Sequence, residues 1–423
     1  MIDHPSGPRR REFLGTVAGA ALATLAPPLL AAPSATPSGG AVTLSEADLH
    51  NLLYGLGFAA SGGGGGYLIG EALVKAIIRD IDPSRWVLHD VASAADGDFA
   101  VMAGGIGAPS AITPDTILDF VGYANLAIQA YSNNSQVVIN ALVPVEAGPV
   151  NALLALYLGW KMGYKVFDCD GAGRAVPSLT NLVFGYNSYP IAPVWLAGVI
   201  QGSPTPLLVS PPPADAAAAE GAIRDNLGQF GDAAGLVCWG QTGAQLRTSS
   251  HLLAGTLSRL VAFGAAAAAT GFTKDALVAF LKSRPEVIAV YSGVVKAIQP
   301  GSQPGYDDGY VIVGGDTGGQ FQIHYLNENM IVTSGASGQN IVATAPSGIA
   351  MMFQPNGAGS YLLLNNGDNL PQQSVIGFPM IFAVMKESCT LFNSPVGDSF
   401  AAVLSSPPFN YKKPFVPAGI CTP

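Results

Sequence analysis

The chain has 423 residues and a formal net charge of −9, and only 11% of its residues are charged. That length accommodates two domains, and the acidic balance excludes nucleic acid and anionic membrane surfaces as expected partners. So few charges also leave a surface that needs covering, for which a homo-oligomer is the simplest arrangement.

The first residues read as a leader. Arg10-Arg11 is followed by Phe13-Leu14, the apolar run Gly15–Leu30 and then small residues and prolines. This is the pattern of a Tat export signal, so residues 1–35 are expected to be removed near Ala32–Ala35. The Tat export machinery is then a partner, and the location is periplasmic or secreted. The apolar run is shorter than the roughly 20 residues of a membrane span. Later apolar stretches carry Arg259 or are broken by prolines, so no stable membrane span is expected.

After the linker Ala35–Gly40, Thr43 or Ser45 caps a helix running to about Ala60, with Asp48 placed for a capping box. Ser61 and the glycines Gly62–Gly66 follow, and then the helical run YLIGEALVKAIIRD. Glycine lets backbone amides approach a ligand closely, and a helix start favours negative charge. Gly63, Gly64 and Gly65 are therefore candidates to cradle a carboxylate or polarised carbonyl. A helix precedes them, so this is no dinucleotide fingerprint, and the P-loop Lys-Ser/Thr is missing. Phe99–Ala103 reads as a strand ending in Gly104–Pro109, and a helix is predicted from about Asp115 to Tyr131.

The centre of the chain carries the chemistry. Gln136–Val143 reads as a buried strand ended by Pro144, Glu146–Asn151 as a polar loop, and Leu153–Met162 as a helix closed by Gly163. The short strand YKVFD and the loop Asp168–Arg174 follow. Strand, helix, strand in this order is a βαβ unit with parallel strands. Both polar loops then lie at the carboxyl edge of one sheet, where open α/β sheets bind ligands. Glu146, Asn151, Asp168, Asp170 and Arg174 are expected to converge there, although Asp-Gly turns and an Asp/Arg pair are also ordinary structural features.

Helices are predicted over Ala214–Phe230, Leu252–Thr270 and Thr273–Lys282. From Glu286 short apolar runs alternate with Gly, Asn, Asp and Pro, a β-rich texture with the spacing of a sandwich or barrel. The fold class is thus an α/β N-terminal domain with a mixed or parallel sheet over 43–205. Helices and an α+β, β-rich C-terminal domain complete 206–420. Cys169, Cys238, Cys389 and Cys421 show no CxxC spacing, and no histidine pair has zinc-site spacing. Whether a metal is bound stays open, with Asp168, Asp170 and His324 as candidates for a divalent one.

Taken together, Glu146, Gly148, Asn151, Asp168, Asp170, Gly171, Gly173, Arg174, Ala175 and Pro177 form a string, E-x-G-x-x-N followed by D-x-D-G-x-G-R-A-x-P. It resembles the core motif of the S-methyl thiohydantoin desulfurase-like family. Gly107-Ala108-Pro109, Gly255–Ser258 and Asn327–Met330 agree with it. Pro149, Cys169 and Ser347 depart from the family pattern.

The resemblance implies an enzyme that adds water at a ring carbon bearing S-methyl and expels methanethiolate. Glu146, Asp168 and Asp170 then supply a base and Arg174 a donor. Gly63, Gly64, Gly65, Asn151, Asn327 and Glu328 hold the small-molecule substrate. Direct acid–base and metal-assisted versions both suit these residues. The alternative is an exported small-molecule binding protein without turnover, which has no need of converging carboxylates. A structural secreted protein would leave the acidic loop unexplained.

Overall fold

Ser45 begins the first helix through the predicted reciprocal cap. Its hydroxyl accepts from the Asp48 amide at 3.2 Å, and the Asp48 carboxylate accepts from the Ser45 amide at 2.9 Å. The computed structural model describes residues 40–417 and 421–422, apart from 187–188, 250–251, 302, 304, 336–337, 339, 356–358, 370–373, 389–390 and 392–394. The expected leader over 1–35 lies outside the described residues.

Strand β1 (Val42–Thr43) precedes helix α1 (Glu46–Ala59), and α2 (Tyr67–Asp80) follows the glycine run. Next come β2 (Val87–His89), β3 (Phe99–Gly107), α3 (Ile117–Ser135), β4 (Ala141–Pro144), α4 (Pro149–Met162), β5 (Lys165–Phe167) and the short β6 (Cys169–Asp170). Strands β3, β4, β5 and β2 pair in parallel, as the βαβ reading requires. Gly163 closes α4 with φ +79°, a left-handed turn that glycine adopts without strain. The strand expected over Gln136–Val143 is shorter, because α3 runs to Ser135 and Gln136 takes its left-handed terminal position at φ +53°.

The hairpin β7 (Trp195–Ile200) and β8 (Ser203–Leu208) leads through α5 (Ala216–Leu227) to β9 (Ala233–Thr242). Strand β9 inserts antiparallel between β3 and β7, which gives an eight-stranded mixed sheet in the order β1-β2-β5-β4-β3-β9-β7-β8. The expected boundary at 205 therefore falls inside β8, and the first sheet continues to Thr242. Alternate residues of β3 enter two cores, Val101 and Ala103 on one face and Ala100 and Met102 on the other.

Strand β10 (Leu253–Ala254) pairs with β6, and α6 (Thr256–Ala268) and α7 (Lys274–Ser283) follow. The second sheet contains β11 (Val287–Pro300), β12 (Asp308–Gly315), β13 (Gln320–Leu326), β14 (Glu328–Ser334), β15 (Asn340–Thr344), β16 (Gly348–Phe353), β17 (Leu362–Leu363) and β18 (Pro379–Met385). Its order is β15-β14-β13-β12-β11-β18-β16-β17, antiparallel throughout. Helices, not a second layer of strands, cover one face of it. Tyr54 and Phe58 of α1, Phe263 of α6 and Leu277 of α7 pack against Ala350, Met352, Ile381 and Ala383. The expected β-rich segment thus builds one antiparallel sheet, covered by helices on one face and gathering Val311, Ile323, Val332, Met351 and Phe382 into a shared core on the other.

A one-turn helix, α8 (Asn366–Asn369), and α9 (Pro395–Ser405) come last. Val396 and Phe400 of α9 return to the core of the first half beside Leu179 and Leu182. Among the described residues, no helix is long and apolar enough to cross a membrane.

Candidate functional site

The ends of β3 and β4, the first turn of α4, the segment after Arg174, and α5 surround one cleft at the carboxyl edge of the first sheet. The turn from β13 to β14 closes it from the second half of the chain. Glu146, Asn151, Gly64, Gly65, Asn327 and Glu328 all line it. Six of the predicted site residues therefore share one space.

Glu146 follows β4 and is buried. Its Oε1 accepts from Asn151 Nδ2 at 2.6 Å, and its Oε2 accepts from the Val176 amide at 2.7 Å. Asn151 is fixed in turn, since its Oδ1 accepts from the Gly105 amide at 2.7 Å. Burial pushes the Glu146 carboxyl up to about 7; the Asn151 and Val176 hydrogen bonds hold it down, and the nearby Asp170 adds to the rise.

Glu328 reaches the same cleft from the start of β14 and is 1% exposed. The preceding Asn327 makes the turn at φ +55°, with its Oδ1 accepting from the Asp307 amide at 2.9 Å. Gly63 makes room for the carboxylate: a Cβ there would lie 1.7 Å from Glu328 Oε1. The glycine run thus admits an acidic side chain of the chain itself. Burial raises the Glu328 carboxyl well above the usual range, and the neighbouring Glu146 raises it further. Its Oε2 is buried without a hydrogen-bond partner among the described residues.

Asp168, Asp170, Arg174 and His324 lie outside the cleft lining, although Asp170 and Arg174 are close enough for their charges to act on Glu146. Asp168 caps α6, its Oδ1 accepting from the amides of Leu257 at 2.8 Å and Ser258 at 3.2 Å. Asp170 is fully buried, and its Oδ2 accepts from the amides of Ala172 and Gly173 in its own loop. Burial raises its carboxyl to about 6. Arg174 is buried behind the cleft, donating to the carbonyls of Ala175 and Pro346 beside the Phe400 ring. Its positive charge nevertheless lowers both Glu146 and Glu328. His324 stacks edge-on against Tyr310 with ring centroids 3.7 Å apart, and burial lowers its imidazole to about 4.

Asp168, Asp170 and His324 are therefore not gathered as metal ligands: the α6 amides engage Asp168, its own loop's amides engage Asp170, and Tyr310 stacks on His324. Among the described residues no group of three or more His, Cys, Asp or Glu could hold a metal ion. Cys169, next to the acids, is buried and its thiol raised, which makes it inert.

Two residues of the cleft lining and one that caps the helix after the glycine run went unread in the sequence. Glu220 and Arg224 line the cleft from α5 and pair at 2.7 Å, with Arg224 lying 3.8 Å above the Tyr306 ring centroid. Their i, i+4 spacing on a predicted helix was the available signal. The third is Asp368 of α8, whose carboxylate accepts from the amides of Tyr67 at 2.6 Å and Leu68 at 3.0 Å. It occupies the helix start at which the glycine run was expected to favour an anionic ligand. No local pattern marks a partner so far along the chain.

Fold and site together define a protein of one α/β half with a mixed sheet and one α+β half with an antiparallel sheet, with a pair of buried glutamates in the cleft between them. A model described as the S-Me-THD-like N-terminal domain matches residues 47–203, and one described as the S-Me-THD-like C-terminal domain matches residues 214–361. The chain belongs to the S-methyl thiohydantoin desulfurase-like family. It is similar to a crystal structure of a protein from Chromobacterium violaceum, with 28% identity and a TM-score of 0.69 over 88% of this chain and 98% of that one. No curated protein matches it.

Proposed function

We propose that this chain is a hydrolase-type enzyme acting on a small hydantoin- or thiohydantoin-type ring, and that on an S-methylated ring it replaces sulfur by oxygen from water. The observation that carries this is the meeting of Glu146 and Glu328 in one cleft, each buried and each raised by burial. Buried carboxyls shifted toward neutrality are the groups that acid–base catalysis needs. Glu146, held by two N–H donors, is the base that takes a proton from water, and Arg174 supports the ionised form from behind. The direct acid–base version suits this arrangement better than the metal-assisted one, whose expected ligands are engaged elsewhere. A receptor for a small ring would gain nothing from two carboxyls that repel one another.

The test is turnover of a panel of S-methyl thiohydantoin, thiohydantoin and hydantoin analogues, with methanethiol release followed by a thiol reagent. Glu146→Gln should lower turnover about a hundredfold or more. Calorimetric binding of the panel with no turnover would install the receptor reading instead.

The same proposal includes Tat export to the periplasm or beyond and assembly as a homo-oligomer. Replacing both Arg10 and Arg11 by Lys should strand the precursor inside the cell, since the receptor reads the guanidinium pair.

A further inference from the structure

We propose that Glu328 holds the proton shared by the two cleft glutamates and delivers it to the substrate, so that the site requires a ring nitrogen carrying no hydrogen. This rests on the hydrolase reading of the cleft and assigns the second catalytic residue of that reaction.

The argument is one of hydrogen-bond donors. Each Glu146 oxygen accepts an N–H, from Asn151 and from Val176, and an acceptor-only carboxylate suits both. Glu328 differs. The backbone amides of Gly64 and of Glu328 itself serve only part of its carboxyl, whose Oε1 lies against Gly63, while its Oε2 has no partner among the described residues and the residue is 1% exposed. A bare carboxylate oxygen in that position is costly, whereas a carboxylic O–H facing a ligand is not. Two like charges cannot both be kept in so dry a space, so one proton stays with the pair. The charged groups facing Glu328 are Glu146 and Arg174. Arg174 lies behind both glutamates, and its charge favours one ionised carboxylate.

The proton placement sets the chemistry. In an S-methylated thiohydantoin the carbon bearing sulfur is doubly bonded to a ring nitrogen that has a lone pair and no hydrogen. Glu328 protonates that nitrogen while Glu146 takes a proton from water and the hydroxide bonds to the carbon. The C–S bond then breaks, the leaving sulfur takes the proton from Glu146, and the new hydroxyl returns its proton to Glu328 as the carbonyl forms. Water and the S-methyl ring give the oxo ring and methanethiol, and both glutamates end as they began. An unmethylated ring presents an N–H to the Glu328 hydroxyl, donor against donor, and should be rejected by about a hundredfold or more in kcat/KM.

The experiment reads the proton directly. Difference infrared spectra at about pH 8, where Glu146 is largely ionised, are recorded for wild type against E328Q and against E146Q. A carboxylic-acid carbonyl band present in wild type, lost in E328Q and kept in E146Q is the expected result. Its loss in E146Q alone, or its absence from wild type, overturns the proposal. If E328Q does not fold, carbon-13 titration of glutamate-labelled wild type decides between the same outcomes. With the band assigned to Glu328 and a substrate in hand, equal turnover of methylated and unmethylated rings overturns the specificity claim. The band on Glu328 with no turnover of any ring overturns the hydrolase reading and leaves the proton assignment standing.

Discussion

Gly63 carries more than flexibility. A methyl group at this position would meet Glu328 Oε1, Cδ and Cγ at 1.7, 2.4 and 2.6 Å, so the glutamate would have to leave its place. Gly63→Ala should therefore lower turnover at least about tenfold and cost about 1–3 kcal/mol of stability through overpacking. Adding Glu328→Ala removes the clash, and the double variant should regain stability while staying inactive. Thermal unfolding and turnover measured on both proteins separate this from a mere loss of loop freedom. A fully active single variant would show that Glu328 need not occupy the position against Gly63.

Among the elements, α6 packs Leu257, Leu260 and Val261 against the core of the first half and is capped from the end of β5 by Asp168. The Asp168 carboxylate receives two of its first amides, and the Asp168 backbone carbonyl accepts from Gly255 at 2.7 Å. Helix α6 belongs to the layer that covers the second sheet, so this cap links the two halves. Asp168→Ala should cost about 1–2 kcal/mol, the usual scale for a lost helix cap. Turnover per folded molecule should stay within about twofold. Denaturant melts with activity normalised to folded protein check this, and a hundredfold loss of turnover at unchanged stability would return Asp168 to the catalytic set.

At the scale of the molecule, joining the two halves buries acids. Ser61 receives the Asn329 amide at its carbonyl, Gly62 receives the Asn366 amide at 2.7 Å, and Asn365 Nδ2 donates to the Gly63 carbonyl at 2.7 Å. This seam encloses Glu146 and Glu328, and burial raises both. Carboxyls raised in the folded state bind more protons folded than unfolded. Their stabilising effect is complete below the unfolded value of 4.5 and is lost as pH rises through about 7 and beyond. His324, lowered to about 4 by burial, works oppositely, but only below its ordinary 6.5. Between about pH 6.5 and about pH 8 the glutamates dominate, and the melting temperature should fall by a few degrees. Glu146→Gln should flatten that slope. A melting temperature that rises across this interval in wild type would contradict the burial of the pair.

Local chemistry determined much of this protein from the sequence alone. The Ser45 capping box, the Gly163 helix end and the βαβ order around Glu146 depend on neighbours a few residues away. Parallel strands then put the loops after β4 and β5 on one edge whatever the rest of the chain does. The family motif likewise marked Glu146, Asn151 and Glu328. What each acid does was decided only by tertiary structure. Asp168 and Glu146 stand in similar polar loops, yet one meets the amides of α6 and the other meets Glu328 across the seam. The insertion of β9 between β3 and β7 was equally hidden, because strand pairing depends on long-range contacts that no local spacing records. Burial set the protonation of the cleft, and burial belongs to the assembled fold: Glu328 becomes an acid only where Gly63 and the first sheet close over it.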